Sequence, residues 1–312
     1  MNQTANAAPL IVSVPDAGLA NLLEDRPDDV EMVTWDMTGP PPVATIDIVV
    51  PPYMVGPHVL AQLAFVTARL VQSPMLGFDG VAEVLPPGQV YANAASVHET
   101  STAELTLALI LASQRGIPDF VRSAERGKWE RVWRPSLADR TVLLVGYGGV
   151  GKAIEDRLVP FETTVVRVAR TARHDHRGEI HAMDELFELL PLADVVVVGV
   201  PLNEETTHLI DDSFLSRMQD GSLLVNIARG RVADTEAILA HAQSGRLRFA
   251  LDVTDPEPLP DGHPLFALSN VLISPHVGGA TSAALPRLAK LLRHQIERML
   301  DGEEPLNVVL RT

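Results

Sequence analysis

Three short segments place an arginine, a glutamate and a histidine just beyond apolar, β-rich runs. Asn226-Ile-Ala-Arg229-Gly230 closes the run 222–227. Asp252-Val-Thr-Asp-Pro-Glu257 closes 247–253, and Ser274-Pro-His276-Val-Gly-Gly279 closes 271–274. Arginine presents a planar fork of donors that matches a carboxylate. Histidine gives or takes a proton near neutral pH, and a neighbouring glutamate orients it and favours its imidazolium. Taken singly, each has a plainer reading: Arg229 as a surface ion pair, His276 as a hydrogen-bonded structural histidine, Glu257 as a solvated loop residue. Their joint placement at three strand ends is what suggests chemistry, because open α/β sheets bind ligands beyond the carboxyl ends of their strands.

A fourth segment names the kind of ligand. Thr141-Val-Leu-Leu-Val runs into Gly146-Tyr-Gly148-Gly149-Val150-Gly151, and a helical pattern follows. A buried strand delivers the chain to a tight turn at Gly146, Gly148 lets the backbone approach a pyrophosphate, and Gly151 lets the helix pack close to the sheet. The helix N-terminus then faces the phosphates. Its plain alternative is a glycine-rich turn that binds nothing. An NAD site usually carries an acid about twenty residues on, at the end of the second strand. Here the strand 164–169 ends in Arg170-Thr-Ala-Arg173. Arginines at 170 and 173 would pair with a 2′-phosphate, so NADP is the expected cofactor, with NAD possible through Asp175 farther along. His174-Asp-His176 is read as a polar loop rather than a metal site, and no metal is expected.

The elements that must position these residues alternate between β-rich and helical. Strands are expected at 10–14, 31–34, 45–50, 69–72, 141–145, 164–169, 194–200, 222–227, 247–253 and 271–274. Helices are expected at 19–23, 59–65, 183–190, 211–218, 235–244 and 281–300. This rhythm predicts open parallel sheets covered by helices. Ser101-x-x-Glu104 reads as a capping box opening a buried apolar helix from Leu105. The segment 117–137 carries Trp129 and Trp133 among charges and reads as an arm or interface loop.

At 312 residues, two domains are the natural expectation. A formal charge of −15 argues against nucleic acid as a partner. The absence of cysteine removes disulfides and thiolate chemistry. The start of the chain lacks the basic and apolar regions of a signal peptide, and its apolar runs are too short to span a bilayer, so a cytoplasmic protein without membrane contact is expected.

The glycine motif, Val200-Pro-Leu-Asn-Glu-Glu-Thr-Thr-His-Leu-Ile210, Asn226-Ile-Ala-Arg-Gly230, Asp252 with Glu257, and Pro275-His276 stand in an order and spacing that resembles the D-isomer-specific 2-hydroxyacid dehydrogenases. The resemblance runs from about Ala61 to Leu300. It implies a flavodoxin-like substrate-binding domain, 1–97 and 282–312, a Rossmann-like dinucleotide-binding domain, 98–281, and a cleft between them. His276 then looks like the acid/base, Glu257 like its carboxylate partner, and Arg229 like the residue that binds the substrate carboxylate and polarises the carbonyl. Asp252 resembles the aspartate near the nicotinamide amide. Cofactor contacts are further implied at Thr102, Pro201 and Ala228. Leu76 and Gly77 sit where family members offer backbone N–H groups to the substrate carboxylate, although Pro74-Met-Leu-Gly-Phe-Asp79 departs from the usual spelling of that loop.

The activity implied is hydride transfer between NAD(P) and a small 2-keto or 2-hydroxy acid such as glyoxylate or hydroxypyruvate, in a homodimer. A phosphoglycerate dehydrogenase-like enzyme without a regulatory domain is a narrower alternative. A nucleotide-sensing corepressor-like protein is one from a different class.

Overall fold

The computed structural model describes residues 8–312. The chain divides into two compact units. One takes the chain up to His98 together with Ser282–Thr312, and the other is Glu99–Thr281.

In the first unit, β1 (Leu10–Val14), β2 (Val30–Thr34), β3 (Thr45–Val49), β4 (Thr67–Gln72) and β5 (Val90–Ala92) form a parallel sheet in the order β5-β4-β3-β1-β2. This is the flavodoxin-like order. The final strand, Val308–Arg311, adds antiparallel to β5. Strand residues alternate between two apolar layers. Val12, Val14, Ile48 and Leu70 meet Leu288, Leu292 and Ile296 of the helix Ala284–Leu300 on one face. Val49 and Val71 pack with Trp35, Leu60 and Leu63 on the other. The short helix α1 (Ala17–Asn21) is opened by Asp16, whose carboxylate accepts from the Leu19 N–H at 3.0 Å. The expected helix at 59–65 is a 3-10 helix, Pro57–Phe65.

The second unit begins with α2 (Glu99–Arg115) and α3 (Ile117–Glu125). Its sheet is built by β6 (Thr141–Val145), β7 (Thr164–Val168), β10 (Val195–Val198), β11 (Leu223–Asn226), β12 (Arg248–Leu251) and β13 (Val271–Ile273). The strands are parallel, in the order β13-β12-β11-β10-β6-β7. A small hairpin, β8 (Arg173–Asp175) and β9 (Gly178–Ile180), intervenes after β7. Crossovers include α4 (Gly149–Leu158), α5 (Leu186–Leu189), α6 (Asp212–Arg217) and α7 (Thr235–Gln243). The central strands are buried on both sides, which is why they read as continuous Val/Leu runs. Val142 and Leu144 face one apolar layer, Leu143 and Val145 the other.

The strand order reverses between β6 and its neighbours β7 and β10, so the switch point of this doubly wound sheet lies at the carboxyl end of β6. The capping box expected at Ser101 is not formed. α2 starts two residues earlier at Glu99, and the buried Ser101 hydroxyl lies 2.9 Å from that of Thr281. Among the described residues, no helix is long and apolar enough to cross a membrane.

Candidate active site

The glycine turn stands at the switch point, and its glycines divide the work. Gly146 has φ +102°, and a Cβ there would lie 2.5 Å from the Gly199 carbonyl oxygen. A Cβ at Gly151 would lie 2.5 Å from the Gly146 carbonyl oxygen. Both are therefore fixed by close backbone packing between β6, α4 and the chain after β10. Gly148 differs: a Cβ there would meet nothing within 4 Å. The open position lies just before the N-terminus of α4, where Gly149 and Val150 form the first turn and backbone N–H groups are available. Open space above a ring of donors fits the pyrophosphate of a dinucleotide.

The chain leaves β7 alongside this turn, because the Gly146 N–H donates to the Val168 carbonyl at 2.9 Å. Arg170 follows two residues later and is exposed. Arg173 Nη2 donates to the Tyr147 carbonyl at 3.0 Å, which sets its guanidinium against the turn itself. Asp175 is employed otherwise: its Oδ1 accepts from the Arg177 N–H at 2.8 Å at the tip of the hairpin, and that bond holds its carboxyl below the usual range.

At the other strand ends of the same unit, His276 Nδ1 lies 2.6 Å from Glu257 Oε1. A carboxylate can only accept, so Nδ1 carries the proton and Nε2 is the nitrogen left for exchange. The loop that carries His276 is organised from beneath by Asp252, which is 3% exposed. Asp252 Oδ1 accepts from the Ser274 hydroxyl at 2.6 Å and from the Val277 N–H at 3.0 Å, and Oδ2 accepts from the Gly278 N–H at 3.0 Å. The His276 N–H itself donates to the Asp252 carbonyl at 2.8 Å. Sequence reasoning placed Asp252 only at the nicotinamide; its part as the anchor of the histidine loop is visible only in three dimensions. Gly278 sits against Thr102 of α2 as well, since a Cβ there would lie 3.4 Å from the threonine hydroxyl.

Arg229 follows the end of β11. The buried Asn226 shapes this turn, its Oδ1 accepting from the Ala228 N–H at 3.1 Å and its Nδ2 donating to the Arg229 carbonyl at 3.2 Å. A Cβ on Gly230 would fall 1.8 Å from the Thr254 carbonyl oxygen, so the Arg229 turn and the chain between Asp252 and Glu257 touch backbone to backbone. Pro201 ends the β10 segment, and its carbonyl accepts from the Thr206 hydroxyl at 2.7 Å within a turn closed by Asn203 and Thr206.

The second unit thus carries Thr102, the glycine turn, Arg170, Arg173, Pro201, Ala228, Arg229, Asp252, Glu257 and His276. Leu76 and Gly77 belong to the first unit, in the loop after β4, where the Leu76 carbonyl accepts from Asn93 Nδ2 at 2.9 Å. Among the described residues, no group of three or more His, Asp or Glu side chains is arranged to hold a metal ion.

Sequence reasoning missed Glu155. It is 3% exposed and sits on the inner face of α4 with Gly151, Ile154 and Leu158. An acid at a core-facing helix position was the available signal.

A parallel doubly wound sheet with a glycine turn at its switch point and a Glu–His pair at neighbouring strand ends is an arrangement suited to a nicotinamide-dependent oxidoreductase. Comparison with known proteins narrows the class. Residues 107–278 match the family described as D-isomer specific 2-hydroxyacid dehydrogenase, NAD binding domain. The glyoxylate reductase of Thermofilum pendens is 34% identical over 248 residues, covering 76% of this chain and 73% of that protein. The glyoxylate reductase of Thermococcus gammatolerans is 33% identical, covering 77% and 76%. Among solved structures, a D-isomer specific 2-hydroxyacid dehydrogenase from Xanthobacter autotrophicus Py2 in complex with NADPH and MES aligns with a TM-score of 0.82 at 27% identity, covering 97% of this chain and 98% of that one. The chain belongs to the D-isomer-specific 2-hydroxyacid dehydrogenases, NAD(P)-dependent enzymes acting on the CH–OH group of 2-hydroxy acids.

Proposed function

We propose that this enzyme reduces small 2-keto acids, glyoxylate or hydroxypyruvate in particular, with NADPH as the preferred reductant. The observation that carries the catalytic reading is the 2.6 Å contact between His276 and Glu257 at the carboxyl edge of a dinucleotide-binding sheet. The substrate class draws support from the relatives that bear the name glyoxylate reductase.

The residues named above would hold the cofactor through the glycine turn and the first turn of α4, with further contacts from Thr102, Pro201 and Ala228 and with Asp252 near the nicotinamide; when bound, it supplies the hydride. His276 gives the proton on Nε2 to the ketone oxygen. Glu257 accepts from Nδ1–H throughout, which orients the ring and stabilises the imidazolium before transfer. Arg229 binds the substrate carboxylate and polarises the carbonyl, and its attraction grows as negative charge builds on oxygen. For NADPH, the supports are Arg170 and Arg173 beside the turn, the use of Asp175 within its hairpin, and the NADPH complex of the structural relative.

The deciding experiment measures cofactor oxidation with a panel of 2-keto acids, using NADPH and NADH in parallel. Turnover of glyoxylate or hydroxypyruvate with higher kcat/KM for NADPH is expected. No oxidation with any keto acid refutes the reductase reading, and a preference for NADH refutes the role of Arg170 and Arg173.

The proposal includes a homodimer joined through the second unit. Its support is the arm after α3, where Trp129 and Trp133 are 94% and 97% exposed.

A further inference from the structure

Beneath the phosphate turn lies a charged cluster that the reaction does not use. Among the described residues, Glu155 and Asp252 are the carboxylates buried to 3% exposure. Asp252 serves the histidine loop; Glu155 serves three different elements at once. From β7, Arg167 binds it through Nε at 2.9 Å and through Nη2. From the glycine turn, the Tyr147 hydroxyl donates to it, and the Arg167 guanidinium lies 5.7 Å from the Tyr147 ring centroid. From the β8–β9 hairpin, Arg177 Nη1 lies 3.5 Å from Glu155 Oε2, 2.8 Å from Asp156 and 3.3 Å from the Lys152 carbonyl of the same helix.

Tyr147 is therefore pinned at both ends. Its phenol is held inside by Glu155, and its carbonyl is held outside by Arg173 Nη2. Arg173 begins the hairpin whose far end Arg177 ties to α4. One carboxylate is thus joined to the glycine turn directly, through Tyr147, and to the residue expected to read the ribose phosphate indirectly, through the Tyr147 carbonyl and the hairpin that carries both Arg173 and Arg177. A buried acid that only balanced one arginine would not need to reach the turn and the hairpin as well. Burial pushes the Glu155 carboxyl up, but the bonds from Arg167 and Tyr147 and the charges of Arg167 and Arg177 outweigh it, so it stays ionised and below the usual range.

We propose that Glu155 is a positioning residue for cofactor selectivity: by joining Tyr147, Arg167 and Arg177, it sets the hairpin so that Arg173 presents its guanidinium to a 2′-phosphate. This rests on the reading of Arg170 and Arg173 given above, and it makes selectivity a property of a three-element network rather than of the two arginines alone. It predicts an asymmetry. NADH carries a 2′-hydroxyl, so a shifted hairpin costs it little, whereas NADPH loses charge-assisted bonds that depend on placement.

The test compares full-length wild type, Glu155→Gln and Arg177→Gln by KM for NADPH and NADH and by kcat at saturating keto acid. Glu155→Gln is expected to raise the KM for NADPH about tenfold, the scale of one charge-assisted hydrogen bond, while the KM for NADH and the kcat stay within about twofold. In an Arg173→Ala background, Glu155→Gln should add nothing to the NADPH defect, because its effect passes through Arg173. Equal losses for both cofactors, an unchanged ratio, or a full additional loss on top of Arg173→Ala would overturn the proposal. If Glu155→Gln does not fold, Arg177→Gln decides. It leaves the buried Arg167–Glu155 pair in place and releases only the hairpin, and an unchanged cofactor ratio there overturns the proposal equally. The wild-type ratio alone reports on the underlying reading: a wild type that prefers NADH removes the 2′-phosphate role, whereas the variants' shift in ratio reports on the network.

Discussion

The imidazole of His276 has one nitrogen committed to Glu257 and one left for exchange, and its residue sits at φ +52°. The left-handed backbone is tolerated because Asp252 holds the loop on both sides of it, through Ser274 and through the N–H groups of Val277 and Gly278. His276→Gln keeps a non-glycine side chain at that φ, so the loop loses little, while the proposed proton donor is gone. Turnover should fall by about 10²–10⁴-fold, with NADPH binding by fluorescence titration near the wild-type value. Near-normal turnover would remove His276 from the acid/base role. The role proposed for Arg229 differs, resting on charge rather than on a proton. Arg229→Ala should raise the KM for the keto acid and also lower kcat by about 10²-fold, since the attraction is strongest at the transition state. A change in KM with kcat intact would reduce Arg229 to a carboxylate holder.

Secondary-structure elements bring these side chains together through contacts that leave no room for a methyl group. At Gly230 the carbonyl of Thr254 occupies the place of a Cβ. Gly230→Ala should therefore part the Arg229 turn from the Asp252–Glu257 segment, lowering stability by roughly 1–3 kcal/mol in urea titration and depressing turnover with it; an alanine variant of wild-type stability would show that the contact gives way freely. The folded-state carboxyl of Glu155 is lowered, so the stability it contributes is complete above the ordinary glutamate range and is lost as pH falls through its lower value. The gap in denaturation midpoint between wild type and Glu155→Gln should be wide at neutral pH and narrow below about pH 4. A gap that does not change with pH would mean that Glu155 contributes packing rather than charge. Element by element, legibility followed burial. Runs such as Val195–Val198 and Leu223–Asn226 are apolar on both faces and were readable as strands. The glycine turn, Arg229, Glu257 and His276 were readable as strand-end residues, since strand ends can be located from such runs. The capping box at Ser101 misled because a Ser-x-x-Glu spacing does not reveal that the serine is buried against Thr281. Glu155 and Asp252 escaped as structural anchors because their partners lie on other elements, 8 to 26 positions away in the chain.

For the molecule as a whole, the arm 128–136 raises the question of what covers it. The arm is not loose: Arg134 Nη2 meets Asp119 at 2.6 Å, and the Ser123 hydroxyl donates to Glu130 at 2.6 Å, both tying it back to α3. Polar side chains thus hold the backbone in place while two indoles stand in water. Of the chain's three tryptophans, Trp35 is in the core at 5% exposure, whereas Trp129 and Trp133 are almost wholly exposed. An indole buries on the order of 200 Å² when covered, and a pre-organised pair is the usual composition of an interface centre. A second copy is the occupant proposed, and closed two-fold pairing lets each arm be covered by the other protomer. Light scattering at micromolar protein should return twice the 33.7 kDa chain mass. Trp129→Ser with Trp133→Ser should return the single-chain mass, with a folded far-UV spectrum, because neither side chain supports its own unit's core. A wild type already at the single-chain mass would refute the dimer, and a double variant that stays dimeric would move the interface away from the arm.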